Sequence, residues 1–273
     1  MKLRLFLFFF ILSFSFKAQK PFVIGEIKEV DSKILNEKRT INVYLPEGYD
    51  KDTAHYSVIY LLDGGADEDF IHIAGLVQFN SFEWINRVPK SIVVGIANTD
   101  RKRDFTFPST VKEEQKTYPT TGHSDKFISF IETELIPFVN TNYKVNFNST
   151  LIGQSLGGLL TSEILLKKPT LFDHYVIVSP SLWWDNGSLL NYNTNTLNAI
   201  TKNISINIAV GKEGKGLGTT NRTMEEEAKL LSAKISALKN KHLKVRFDYL
   251  PNENHATILH QAVTNAFKWL YLD

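Results

Sequence analysis

The 273-residue chain contains no cysteine. Disulfides are therefore excluded, and so is a lipid anchor attached through a cysteine. Charge of one sign is also missing: 31 Lys and Arg stand against 29 Asp and Glu. That balance gives no electrostatic reason to expect nucleic acid or an anionic membrane surface as partner. Internal repeats, low-complexity tracts and long linkers are absent. Stability must come from an apolar core, and at 43% hydrophobic residues the composition suffices for one.

The one segment of unusual composition is N-terminal. Lys2 and Arg4 precede an almost wholly apolar, Phe-rich run from Leu5 to Phe16, and Ala18 precedes Gln19. A basic start, a short apolar stretch and a small residue make a secretory signal peptide. The run is short of the ~20 residues a membrane span needs. The expected product is a periplasmic or secreted protein of one domain, residues 19–273, with no stable membrane anchor. Removing Lys2, Arg4 and Lys17 would take the net charge from +2 to −1.

Strand-like runs rich in β-branched and aromatic residues recur at 22–30, 40–45, 57–62, 91–97, 150–153, 175–179, 204–210 and 244–250. The first two alternate in polarity, as half-buried antiparallel strands do; the later ones are continuously apolar, as central parallel strands are. Helical periods fall at 126–142, 156–168, 223–241 and 256–271. Antiparallel strands followed by alternating β and α predict an α/β fold: a mostly parallel sheet of about eight strands with helices on both faces. Ligands of such sheets bind at the carboxyl ends of the strands.

At one such end stands Gly153-Gln154-Ser155-Leu156-Gly157, between an apolar strand and an apolar helix. Gly-x-Ser-x-Gly in that setting is the sharp turn that exposes a nucleophilic serine. Alone the pattern is weak. With Gly and Ser near ~7% usage, a chain of this length carries one by chance about one time in ten. The surrounding residues decide. Gly153 and Gly157 suit a turn whose flanks approach closely, and the helix opening at Leu156 favours developing negative charge.

A serine hydroxyl needs a base, and in this arrangement the order is serine, acid, histidine. His255 lies in a loop between the last strand and the last helix. His242 precedes that strand, and His260 falls inside the helix. His255 is the expected base. Glu213 follows the strand 204–210 and is the expected acid. Asp185 and Glu225 to Glu227 compete, although acids in a helix first turn are expected for capping alone. An oxyanion hole needs two backbone N–H groups. Leu156 should supply one; the other should come from Asp63-Gly64-Gly65, with Gly65 the expected donor and Gly64 the alternative. Gly211 to Gly216 lacks the Lys-Ser/Thr of a phosphate loop, and His255 and His260 are five apart, wrong for paired zinc ligands. No metal or cofactor is expected.

These segments resemble the putative esterase family of α/β-hydrolases, most closely the branch related to siderophore trilactone esterases. The likeness rests on Val58–Gly64, Asn98–Asp104, Phe127–Pro137, Gly153–Gly158, Ser179–Trp184, Val210–Glu213 and Asn254–Thr257, and spans about residues 38 to 270. His123 stands where the family commonly has Gly, and Ala256-Thr257 where Gly-Ser is usual. The resemblance implies the α/β-hydrolase fold and a serine esterase acting through an acyl-enzyme, with Ser155, Glu213 and His255 as triad and a small-molecule ester as substrate. It places Arg101, Arg103, Trp183 and Trp184 beside the site, where Arg could bind an anion and Trp stack on a ring. The alternative is structural: Arg103–Asp104 a buried pair, Trp183 a packing anchor. A polysaccharide acetyl- or feruloyl-esterase, or a catalytically silent binding protein, are the competing functions.

Overall fold

The computed structural model describes residues 20–51 and 53–271. The expected signal segment, residues 1–18, lies outside the described residues. Eight strands form one sheet: β1 Glu26–Ser32, β2 Glu37–Tyr44, β3 Tyr56–Leu61, β4 Ser91–Ile96, β5 Val145–Gln154, β6 His174–Val178, β7 Ile204–Gly211 and β8 Leu243–Leu250. Their spatial order is β1-β2-β4-β3-β5-β6-β7-β8. Pairings β1–β2 and β2–β4 are antiparallel, and all others are parallel. Every strand expected from sequence is present. β1 starts later than the apolar run suggests: Phe22 and Val23 are largely exposed and lie outside the strand.

Alternate side chains of each buried strand enter opposite cores. Leu151 and Ile177 face the core under helix Leu156–Lys167; Ile152, Val176 and Val178 face the one under helices Phe70–Asn80 and Ile258–Leu270. Both faces are thus covered, as continuously apolar strands demand. This is the α/β-hydrolase fold.

The helical period at 126–142 is interrupted. It runs as Ser124–Phe130, a wide π turn Ile131–Leu135, then Ile136–Asn142. Pro137 lacks an N–H and its ring would crowd the preceding turn, so a wider turn before it relieves the clash. Helix Met224–Ser236 opens with a Thr223/Glu226 capping box and ends before Lys239, whose φ is +50°. Helices Phe70–Asn80, Arg101–Phe105 and Lys112–Thr117 were not among the expected periods.

The strand order positions the site. β4 lies on one side of β3 and β5 on the other, so the chain reverses its direction of travel across the sheet there. The crevice at such a reversal is where open α/β sheets bind ligands. The loops after β3 and β5 carry Asp63 and Ser155.

Candidate active site

Ser155 sits at φ +59°, ψ −119° between β5 and helix Leu156–Lys167. That is a costly backbone for a residue with a Cβ, and three hydrogen bonds hold it. Ser155 N donates to Val178 O at 3.0 Å; Ser155 O accepts from Leu159 N at 2.9 Å and Ser181 N at 3.0 Å. A Cβ on Gly153 would stand 2.4 Å from Gly157 O, so this glycine is obligatory. The other tight position is Gly158, where a Cβ would meet Val178 O at 2.8 Å and Pro180 Cα at 2.9 Å. Gly157 is looser, at 3.3 Å from Asp63 Oδ2.

The loops after β7 and β8 complete a line of three side chains. His255 Nε2 lies 3.0 Å from Ser155 Oγ, and His255 Nδ1 lies 2.6 Å from Glu213 Oε2. The loops are tied together by Lys212 N donating to Glu253 O at 2.8 Å and Gln154 Nε2 donating to His255 O at 2.5 Å. The Glu213 side chain is 2% exposed. Its Oε1 accepts from Gly211 N at 2.9 Å and from the Ser179 hydroxyl. Burial alone would raise this carboxyl; hydrogen bonds from His255, Ser179 and Gly211 outweigh it, and the group titrates below its ordinary value. A hydroxyl, an imidazole and an ionised carboxylate in line can move a proton off the hydroxyl and stabilise the resulting cation.

The competing acids are engaged elsewhere. Asp185 Oδ1 accepts from Thr110 N at 2.6 Å. Glu225 accepts from Glu213 N at 2.8 Å, Glu226 closes the capping box, and Glu227 takes Thr220 Oγ1 at 2.9 Å.

Other expectations change. Gly64 N donates to Ile96 O at 2.9 Å, so its N–H belongs to the backbone and it is not an oxyanion donor. Gly65 N donates to Glu68 Oε2 at 2.7 Å, leaving an exposed carboxylate on the expected donor. Leu156 N–H, first in its helix, has no intrahelical acceptor. Arg103 is not at the site. It binds Glu37 and Asp104 at 2.6 and 2.7 Å, beside the fully buried Arg39, which pairs with the same two acids. Arg101 reaches the site but is neutralised by Asp63, with contacts of 2.6 and 2.9 Å. Its Nη2 also donates to Gln154 O at 3.3 Å, so it ties the β3 loop to the serine turn.

Two open lobes meet at Ser155, of about 250 and 280 Å³. Trp183, with Ser181 and Leu217, borders both. Trp184 borders the first and anchors its indole N–H on Phe107 O at 2.8 Å. Sequence reasoning missed Ser179 and Ser181, although they follow β6 at the same sheet edge. It also missed Tyr118 in the first lobe, and gave Lys102, in the run 101–104 expected beside the site, no role of its own. Among the described residues, no group of three or more His, Asp or Glu could hold a metal.

The family model described as "Putative esterase" matches residues 32–260. The chain belongs to this esterase family. Ferri-bacillibactin esterase BesA of Bacillus subtilis is 27% identical over 89% of this chain and 88% of its own length. The IroE-like serine hydrolase from Shewanella oneidensis superposes with a TM-score of 0.81 at 31% identity, over 90% of this chain and 80% of the other. BES protein from Bacillus cereus gives 0.81 at 28% identity, over 94% and 99%. The chain is an ester hydrolase by family, and it shares its overall fold with these relatives.

Proposed function

We propose that the protein is a serine esterase that opens siderophore-type esters through an acyl-enzyme. The observation that carries this reading is the Ser155–His255–Glu213 line, with spacings of 3.0 and 2.6 Å, at the reversal point of the sheet. Ser155 Oγ bonds to the ester carbonyl carbon while His255 Nε2 takes its proton. Glu213 fixes the imidazole tautomer and faces the imidazolium. The carbonyl oxygen turns toward Leu156 N–H and toward Gly65 N–H, which Glu68 must release. Collapse breaks the bond to the alcohol oxygen, and His255 returns the proton to it. Water, activated by the same imidazole, then cleaves the acyl-serine. The relatives' substrates motivate the siderophore assignment. The N-terminal segment motivates export, for which N-terminal sequencing of the mature protein is the check.

Two measurements test the proposal. An organophosphate should label Ser155 in the folded protein, and an unlabelled Ser155 refutes the mechanism. A ferric catecholate trilactone should be turned over beside p-nitrophenyl, feruloyl and acetyl esters. Good turnover of the simple esters with none of the trilactone removes the siderophore assignment and leaves the esterase.

A further inference from the structure

The cleft has two chemically different sides. Leu156, the first helix amide, borders the first lobe, and His255 borders the second. The imidazole that takes the serine proton must hand it to the departing alcohol oxygen, so the alcohol leaves on the side of His255. The acyl group then occupies the first lobe, walled by Tyr118, Trp183, Trp184 and Leu217. Aromatic walls suit a flat ring.

Charge in that lobe is carried by Arg101 and Lys102. Arg101 is matched by Asp63 in a two-point ion pair, so it has little attraction left for a ligand. Lys102 has no ion pair among the described residues. Its ammonium lies 4.7 Å above the centre of the Tyr118 ring, a contact that places the cation at an aromatic wall without neutralising it. The lobe therefore offers one uncompensated positive charge beside a stacking surface.

We propose that Lys102 is the specificity residue of the acyl lobe, and that the lobe selects aryl acyl groups bearing negative charge, such as phenolate or carboxylate rings. This rests on the proposed serine esterase chemistry but not on a siderophore being the substrate.

The test uses the full protein and three nitrophenyl- or phenyl-type esters. One has a neutral acyl ring (4-nitrophenyl benzoate), one an anionic acyl ring (4-nitrophenyl 4-carboxybenzoate), and one the anion on the alcohol side (4-carboxyphenyl benzoate). Lys102→Met should lower kcat/KM for the anionic acyl ester about fivefold, the scale of one exposed charge pair. The effect should fade in high salt, and Lys102→Arg should restore it. Both other esters should change less than twofold. An equal loss on all three esters, or no loss on the anionic acyl ester, overturns the assignment; a loss confined to 4-carboxyphenyl benzoate overturns the division of the lobes. A ferric catecholate trilactone separates the two readings. If it is not turned over while the acyl-charge preference depends on Lys102, the siderophore assignment falls and this one stands. If Lys102→Met loses nothing on 4-nitrophenyl 4-carboxybenzoate while the trilactone is still turned over, this one falls and the siderophore assignment stands.

Discussion

Replacing Glu213 by Gln tests the whole proton path with a nearly isosteric change. The amide oxygen can keep the bonds from Gly211 N and Ser179 Oγ that Oε1 now accepts. The amide nitrogen then takes the place of Oε2, 2.6 Å from His255 Nδ1. An NH₂ group can only donate there, so Nδ1 must be the unprotonated nitrogen and the proton moves to Nε2. Nε2–H then points at Ser155 Oγ, and the serine faces a donor instead of a base. The imidazolium formed during attack also loses its facing charge. The comparable tautomer error in a serine protease costs ~10⁴ in kcat, or about 5.4 kcal/mol of transition-state stabilisation. We expect a loss of 10³ to 10⁴ in kcat on p-nitrophenyl acetate, slower organophosphate labelling and an unchanged circular dichroism spectrum. Stability should respond to pH in a fixed direction. The folded Glu213 titrates below its ordinary value, so its ionisation supports the fold above that ordinary value and the support is lost as pH falls through the folded one. The gap in Tm between parent and variant should therefore narrow in acid. A properly folded variant retaining more than a tenth of parent kcat refutes Glu213 as the orienting acid.

Three further changes separate structural from chemical roles. Asp69 is raised to about 6 by burial and by the nearby Asp63 and Glu68 carboxylates; its ionisation opposes folding as pH rises from about 4 to above 6, a cost of ~3 kcal/mol at ~1.4 per pH unit, reduced to roughly 1–2 by solvent beside this partly exposed side chain. Asp69→Asn should raise Tm at pH 8 and not at pH 4, and equal shifts at both would remove the explanation. Gly158→Ala should destabilise by about 1–3 kcal/mol, because its Cβ would press on the Val178 and Pro180 backbone, whereas Gly157→Ala should cost less in denaturant titration. Arg103→Ala strips ion-pair partners from Glu37 and the buried Asp104, so about 1–3 kcal/mol of stability should be lost with kcat/KM within twofold; a selective loss of activity would return Arg103 to the substrate cleft.

The sheet was legible because its signal is local. Tyr56–Leu61 and Ser91–Ile96 are unbroken buried runs of six residues, and short runs of that kind, rich in β-branched residues and bounded by turn residues, read as central strands. Glu213 and His255 were legible for a related reason. Each is a titratable residue in a loop that leaves the carboxyl end of a strand, and strand direction follows from the β-α alternation. Helix Arg101–Phe105 was not legible. Five residues carry no usable period, and its start is set by Asp100 capping Arg103 N.

What an ionic side chain is free to do depends on partners far along the chain. Arg101, Lys102 and Arg103 are consecutive and look alike in sequence. Arg101 answers to Asp63, 38 positions earlier; Arg103 answers to Glu37, 66 positions earlier; the Lys102 ammonium lies on the face of Tyr118 and has no ion pair among the described residues. Successive residues of a helix point about 100° apart, so three neighbours cannot share one destination. Arg101 and Arg103 bind the fold's own carboxylates, and Lys102 carries the unmatched charge in the lobe beside Ser155. The free cation is therefore the one for which the fold supplies no acid, and that follows from where β2 and β3 place Glu37 and Asp63. An anionic acyl group in the cleft would complete, for Lys102, the pairing that its two neighbours find within the protein.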